Sequence, residues 1–301
     1  MPTTGVFSFV LATAAVVYLS VRRRRQRRLS RFVCGFALQE VSLQYQLLRR
    51  LQQHRGMSVG ILNGDESFEE PRARLQAEID SLFKRQIGQA LPAVFRDVGT
   101  IRERLPRGWQ TLRQQWRGWD GDHCLQQHNA LIAKQLNGLV ILALESGLLA
   151  YDEPRHRHLA DIIARRLPDA LERTGQLRAL ATGCAATGCC TALHRVRLRF
   201  LSEQVRNNLS AVCKSTQAPF GDQELAEVAS VTMKQVDRFL TALEGELIDS
   251  AKIALESAEV FAKATQALET QFSLAESVLQ RLALIHAHDA RVQGRPSLRV
   301  T

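Results

Sequence analysis

Apolar side chains recur three and four positions apart along most of the chain, and that rhythm predicts one helix after another. The first runs from near Ser30 through Leu62 and is broken by Asn63-Gly64-Asp65. Glu69 to Gln89 is the second, with Leu75, Ile79, Leu82 and Phe83 on one face. Pro92 leads into Ala93 to Leu105, and Pro106-Arg107-Gly108 reads as a turn. Trp109, Leu112, Trp116 and Trp119 then form an aromatic helical face, a packing edge or bundle cap rather than a cofactor platform. After a break at Gly118 to Asp122, Leu125 to Tyr151 is a long apolar helix that Asp152-Glu153-Pro154 stops. His158 to about Cys190 follows, interrupted mildly at Pro168, and then Thr191 to Cys213. Pro219-Phe220-Gly221 marks a turn before Leu225 to Leu247 and Asp249 to about His286. The tail from Asp289 to Thr301 is expected to fray. No alternating β-branched run is long enough to seed a sheet. The predicted class is all-α, with long helices on short connections packed as one or two up-and-down antiparallel bundles.

Arg55 breaks the rhythm. Leu47, Leu51, Arg55, Ser58 and Leu62 keep helical steps, so a charge lies on an apolar stripe, and Gly56 beside it lets a neighbouring helix approach. A guanidinium facing a helical core is costly unless an anion meets it. A second stripe, Ile163, Leu167, Leu171, Thr174, Arg178 and Ala181, gives Arg178 the same placement, although Leu177 and Leu180 compete for the inside. Two inward arginines on two helices make a pocket for a small oxyanion. Their paired donors match planar, delocalised anions such as nitrate, nitrite or a carboxylate. Ser58, one turn beyond Arg55, adds a hydroxyl donor. The same spacing also fits arginines paired with a Glu or Asp of the same chain, or arginines on the surface.

At these residues the chain resembles the nitrate- and nitrite-sensing domain family. Arg55-Gly56-Met57-Ser58, within Leu51 to Phe68 and followed by Leu62 and Gly64-Asp65, is similar to the family's opening. Tyr151-Asp152-Glu153-Pro154, Leu167-Pro168 and Gly175-Gln176-Leu177-Arg178-Ala179-Leu180 are similar to its middle region. The resemblance covers roughly Ser30 to His286. It implies two packed four-helix bundles that bind nitrate or nitrite between helices, with Arg55 and Arg178 as ligands and Arg173 as a further candidate. The chain departs from the pattern at His54, where a Glu or Gln is expected. No signalling or antitermination module is apparent after Ala287, so the resemblance implies output through a separate signalling partner.

Charge adds a location. Met1 to Val21 carries no charged side chain, and Arg22, Arg23, Arg24, Arg25, Arg27 and Arg28 follow it directly. About 20 helical residues span a bilayer core of roughly 30 Å. A cleavable signal peptide places its basic residues before the apolar run, so the reversed order predicts a single-pass anchor in the inner, cytoplasmic membrane with the main domain in the cytoplasm. The expected organisation is an anchor with its basic block over 1–28, a helical sensing domain over 29–287, and a flexible tail over 288–301.

Much of the net charge of +10 lies in that arginine block. The rest is mixed along helix faces and accompanies no nucleic-acid-binding signature, which argues against nucleic acid as a partner. Cys184, Cys189 and Cys190 match no zinc spacing and read as small packing residues. His156 with His158, and His286 with His288, lack the spacing that puts two metal ligands on one helix face. No catalytic motif or cofactor fingerprint occurs, so an enzyme is not expected. The expected function is a membrane-anchored sensor of nitrate or nitrite, with homodimerisation open. The alternative is a helical scaffold that has lost sensing, and a third reading is a membrane-surface or nucleic-acid binder that uses the arginine block.

Overall fold

The computed structural model describes the backbone of residues 3–151, 153–217, 222–250 and 252–292, and side chains between residues 32 and 288 of these. The described residues are helical throughout, without a strand. Helix α1 spans Thr3–Leu62, α2 Glu69–Gly88, α3 Arg96–Gln115 and α4 Gly121–Glu145. Helix α5 spans Pro154–Asp161, α6 Leu167–Ala186, α7 Ala192–Gln217, α8 Gln223–Leu243 and α9 Ser257–Val292. Local chemistry sets the ends. Gly64 stops α1 in a left-handed conformation at φ 105°, and Asp65 N–H donates back to the Gly60 carbonyl. Asp120 caps α4 by accepting from His123 N–H at 2.7 Å.

Helix α1 packs on α2 and α4, and α3 packs on α4; α6 packs on α7 and α9, and α8 on both α7 and α9. The two sets meet where α1 lies against α6 and α9. Most side chains from Val33 to Leu51 that are buried on α1 belong to one hydrophobic cluster, whereas Leu177 to Ala185 on α6 belong to another. The functional question therefore centres on the α1–α6 contact.

Three predicted boundaries change. Pro106 lies inside α3 rather than in a turn. An interior proline costs about 3 kcal/mol. Leu105, Trp109 and Leu112 on either side of it are all buried, and each such side chain contributes about 1.5–3 kcal/mol, so burial carries the helix through. Pro168 follows a five-residue π turn, Ile162–Arg166, in which Leu167 N–H bonds back to the Ile162 carbonyl. The wide turn shifts the hydrogen-bond ladder just before the residue that lacks an N–H. The last helix begins at Ser257 rather than Asp249, after a second π turn at Glu244–Ile248. Among the residues whose side chains are described no helix is long and apolar enough to cross a membrane. The side chains of the predicted anchor and basic block, 1–28, lie outside the described residues, as does most of the tail.

Glycine permits the α1–α6 contact. A Cβ at Gly175 would stand 2.6 Å from Arg55 Nη2 and 2.9 Å from the Gln52 amide. A Cβ at Gly56 would stand 2.7 Å from the Phe261 ring of α9. Gly175→Ala is therefore expected to destabilise the protein by about 1–3 kcal/mol. Gly245→Ala, where a Cβ meets nothing within 4 Å, is expected to be neutral or mildly stabilising. Urea midpoints of the two variants against the parent check the pair, and equal midpoints would rule out the close approach.

Candidate functional site

Arg55 and Arg178 are the largest fully buried side chains, at 0% and 1% exposure. Helix phase puts them there: Leu47, Leu51 and Ser58 are buried around Arg55, and Leu171, Thr174 and Ala181 around Arg178. Each arginine meets different chemistry. Arg55 Nη1 donates to Glu172 Oε1 at 2.6 Å and to Asn129 Oδ1 at 2.7 Å, and Nη2 donates to Glu172 Oε2 at 3.3 Å. Two amides add to the carboxylate: Gln52 Nε2 donates to Oε2 and Gln176 Nε2 to Oε1, both at 2.9 Å. Glu172 is itself buried. The Arg55 position thus holds a charge-assisted, forked pair with further donors on its anion.

Arg178 has no such partner. Its Nη1 donates to Thr265 Oγ1 at 2.9 Å, and its guanidinium carbon lies 4.7 Å from the centroid of the Phe261 ring. Its Nε and Nη2 are buried and make no hydrogen bond among the described residues. Those two groups form one edge of the guanidinium, a pair of near-parallel donors. Burial pulls the Arg178 pKa down to about 9, and the Arg55 charge pulls it the same way, against the opposing influence of Glu269 and Glu172. It is still a cation at neutral pH.

The other predicted residues have partners of their own. Ser58 is buried, with Oγ 3.4 Å from His54 Nδ1. Arg173 is half-buried, and its Nε lies 3.5 Å from Asp169 Oδ1. Cys184 lies 3.4 Å from His194 Nδ1, and among the described residues no three of His, Cys, Asp and Glu are placed to hold a metal ion.

Sequence reasoning missed Glu172, Gln52, Asn129 and a histidine relay. His128 Nδ1–H donates to the Cys124 carbonyl at 2.8 Å, which leaves Nε2 to accept from His54 Nδ1–H at 2.9 Å. His54 Nε2 then accepts from Arg72 Nη1 at 3.3 Å. His54 thus bonds to His128 while the next residue, Arg55, bonds to Asn129, the residue after His128. The two adjacent bonds set α1 in register on α4. The aromatic face of α3 and the turn after it cover the relay: Trp109 meets His54 edge-on at 4.8 Å, and Trp116 lies 4.2 Å below the Arg72 guanidinium. The available signal was His54 itself, the residue that departs from the expected pattern.

Both relay histidines are fully buried and held neutral. Burial, then His128 and Arg72, push His54 well below its usual pKa; His128 is lowered to about 3, chiefly by burial. In the unfolded chain each titrates near 6.5. The neutral relay therefore contributes its full stability above that pH, and the contribution falls as pH drops towards the folded value. Between pH 6 and 4 stability is expected to decline by up to about 2.7 kcal/mol per pH unit from the two groups. Urea unfolding across that range checks this, and His128→Gln should remove about half of the slope.

The family model described as nitrate and nitrite sensing matches residues 46–283. No functionally curated protein matches. Among solved structures, the chain is similar to the NasR transcription antiterminator, with a TM-score of 0.71 and 18% identity. That likeness covers 95% of this chain and 77% of NasR, and at this identity it concerns the fold alone.

Proposed function

We propose, on the premise that the chain belongs to the nitrate and nitrite sensing family, that it binds one such anion at the α1–α6 contact. The observation that carries this reading is the unpaired Nε–Nη2 edge of Arg178. A buried guanidinium with two parallel donors left over favours a small planar oxyanion, which accepts from both at once. Nitrate and nitrite have that shape. Arg55 supports it from the facing helix, with Ser58 three residues further along α1 and Arg173 next to Glu172 on α6 as further candidates. An added anion would also balance the Arg178 guanidinium, since Glu172 is paired with Arg55 alone.

Ligand control requires unequal affinity for two states. In the free state Arg55 is engaged by Glu172. In the bound state the anion is held by Arg178 and competes with Glu172 for Arg55, which draws α1 and α6 into a new arrangement. A separate signalling protein would read that arrangement. The apolar run Gly5 to Val21 and the arginines after it support a membrane-anchored sensor with its main domain in the cytoplasm. Nothing in this scheme calls for enzymatic chemistry. Arg55's existing pairing with Glu172 favours a second reading, a helical scaffold in which the internal carboxylate has replaced the ligand for good.

Thermal melting with nitrate, nitrite, chloride and sulfate separates the two. The sensor reading expects a selective rise in Tm with nitrate or nitrite, equivalent to about 2.7 kcal/mol at a hundredfold excess over Kd. Arg178→Ala should abolish the rise while leaving the protein folded, because it removes a buried charge that lacks a full set of partners. Arg178→Lys should respond poorly, since an ammonium lacks the fork. A parent protein indifferent to all four ions would leave the scaffold reading standing.

A further inference from the structure

A cavity of about 180 Å³ opens beside the buried pair. Its lining includes Asn129, Gln176, Arg173, Arg197, Phe200 and Leu201. Two of these are direct partners of the buried ions: Asn129 accepts from Arg55, and Gln176 donates to Glu172. The cavity's inner wall is therefore the outer side of the Arg55–Glu172 pair. Toward the surface the lining changes. Phe200 is 53% exposed, and the half-buried Arg173 and Arg197 each reach an acidic partner, Asp169 at 3.5 Å and Asp122 at 3.3 Å. No carboxylate lines the cavity itself among the described residues.

We infer that this cavity is an outer binding site for the same class of ligand, a planar monovalent oxyanion, and its way to Arg55; the inference rests on the sensor reading above. Two guanidinium groups at a small, partly apolar opening concentrate anions and raise their rate of arrival. An anion resting there is one amide layer from Arg55 and needs no large helix separation to reach it. Asn129 and Gln176 are suited to the exchange because a carboxamide both donates and accepts. Each can turn from the internal pair to the incoming anion without a net change in charge. Gln176 can keep its bond to Glu172 while Arg55 changes partner, so Glu172 is not left bare in the interior. Arg197 is the residue this assigns that the family resemblance does not: it comes from α7, outside both arginine motifs.

Stopped-flow mixing of the full chain with sodium nitrate tests the assignment, read by tryptophan fluorescence, since Trp109 and Trp116 cover the relay next to Arg55. Arg197→Glu should slow association about tenfold and leave dissociation within twofold, so that Kd rises by the same factor. Arg197→Gln, which sets no carboxylate against Asp122, should slow it less and in the same direction. Arg238→Glu on α8 makes the same change in net charge at an exposed site away from the cavity, and should leave the rate unchanged. If Arg238→Glu slows association as much as Arg197→Glu, net charge alone is at work and the outer site is overturned. An unaltered rate in both Arg197 variants overturns it as well, with the sensor reading intact. A parent protein that gives no nitrate response at any concentration removes the reading and the outer site together.

Discussion

Two guanidinium groups lie buried where α1 presses on α6 and only one of them, Arg55, is paired with a carboxylate, so this contact holds more positive than negative charge. An interior guanidinium without an anion is among the most costly arrangements a helical core can contain. The surrounding architecture limits that cost. Gly175 leaves room for the Arg55 guanidinium to approach α6 closely. Gln52, Gln176 and Asn129 add three hydrogen bonds to the pair. Arg178 is offset by a ring face and one hydroxyl, which satisfy it incompletely. Every helix that reaches this point, including α4 and α9, contributes a polar atom or a ring to it.

Burial first, and the nearby positive charge second, keep the adjacent relay neutral. A proton added to His54 or His128 would sit beside Arg72 and one residue from Arg55, in a medium that screens poorly. The relay holds α1, α2 and α4 together with hydrogen bonds alone, and the tryptophans of the α3 region keep water from it. A neutral histidine pair therefore does here what an ionised Glu cannot. It donates and accepts along one line, and it adds no charge to a place that already has too much of one sign.

The helical class and the phase of Arg55 are legible in the sequence because both depend on local spacing. Leu47, Leu51 and Ser58 surround Arg55 one turn at a time, and all are buried. Arg178 is legible for the same reason, even though Leu177 and Leu180 are buried beside it. The partners are not. Glu172 lies 117 residues from Arg55 and His128 lies 74 from His54, and no periodicity within one helix points to such pairs. Glu172 stands next to Arg173 and reads as part of a solvated face. Pro106 misleads for the opposite reason: the local signal is a turn, and the burial of Trp109 and Leu112 that overrides it is tertiary. The order of the two arginine motifs carries information that neither helix face holds alone, and it agrees with the family match over 46–283.

The π turn at Ile162–Arg166 adds one residue to an otherwise continuous helix. Each residue advances a helix by about 100°. Without that extra residue, the stretch from Leu167 onward would be rotated by this angle relative to α5, and Glu172, Gly175 and Arg178 would point at other neighbours. The turn works as a phase adjuster between a short peripheral segment and the helix that carries the central charges. It lets the two ends of one rod be in register with different partners, and it makes the length of this five-residue stretch as decisive for the site as the identity of any side chain in it.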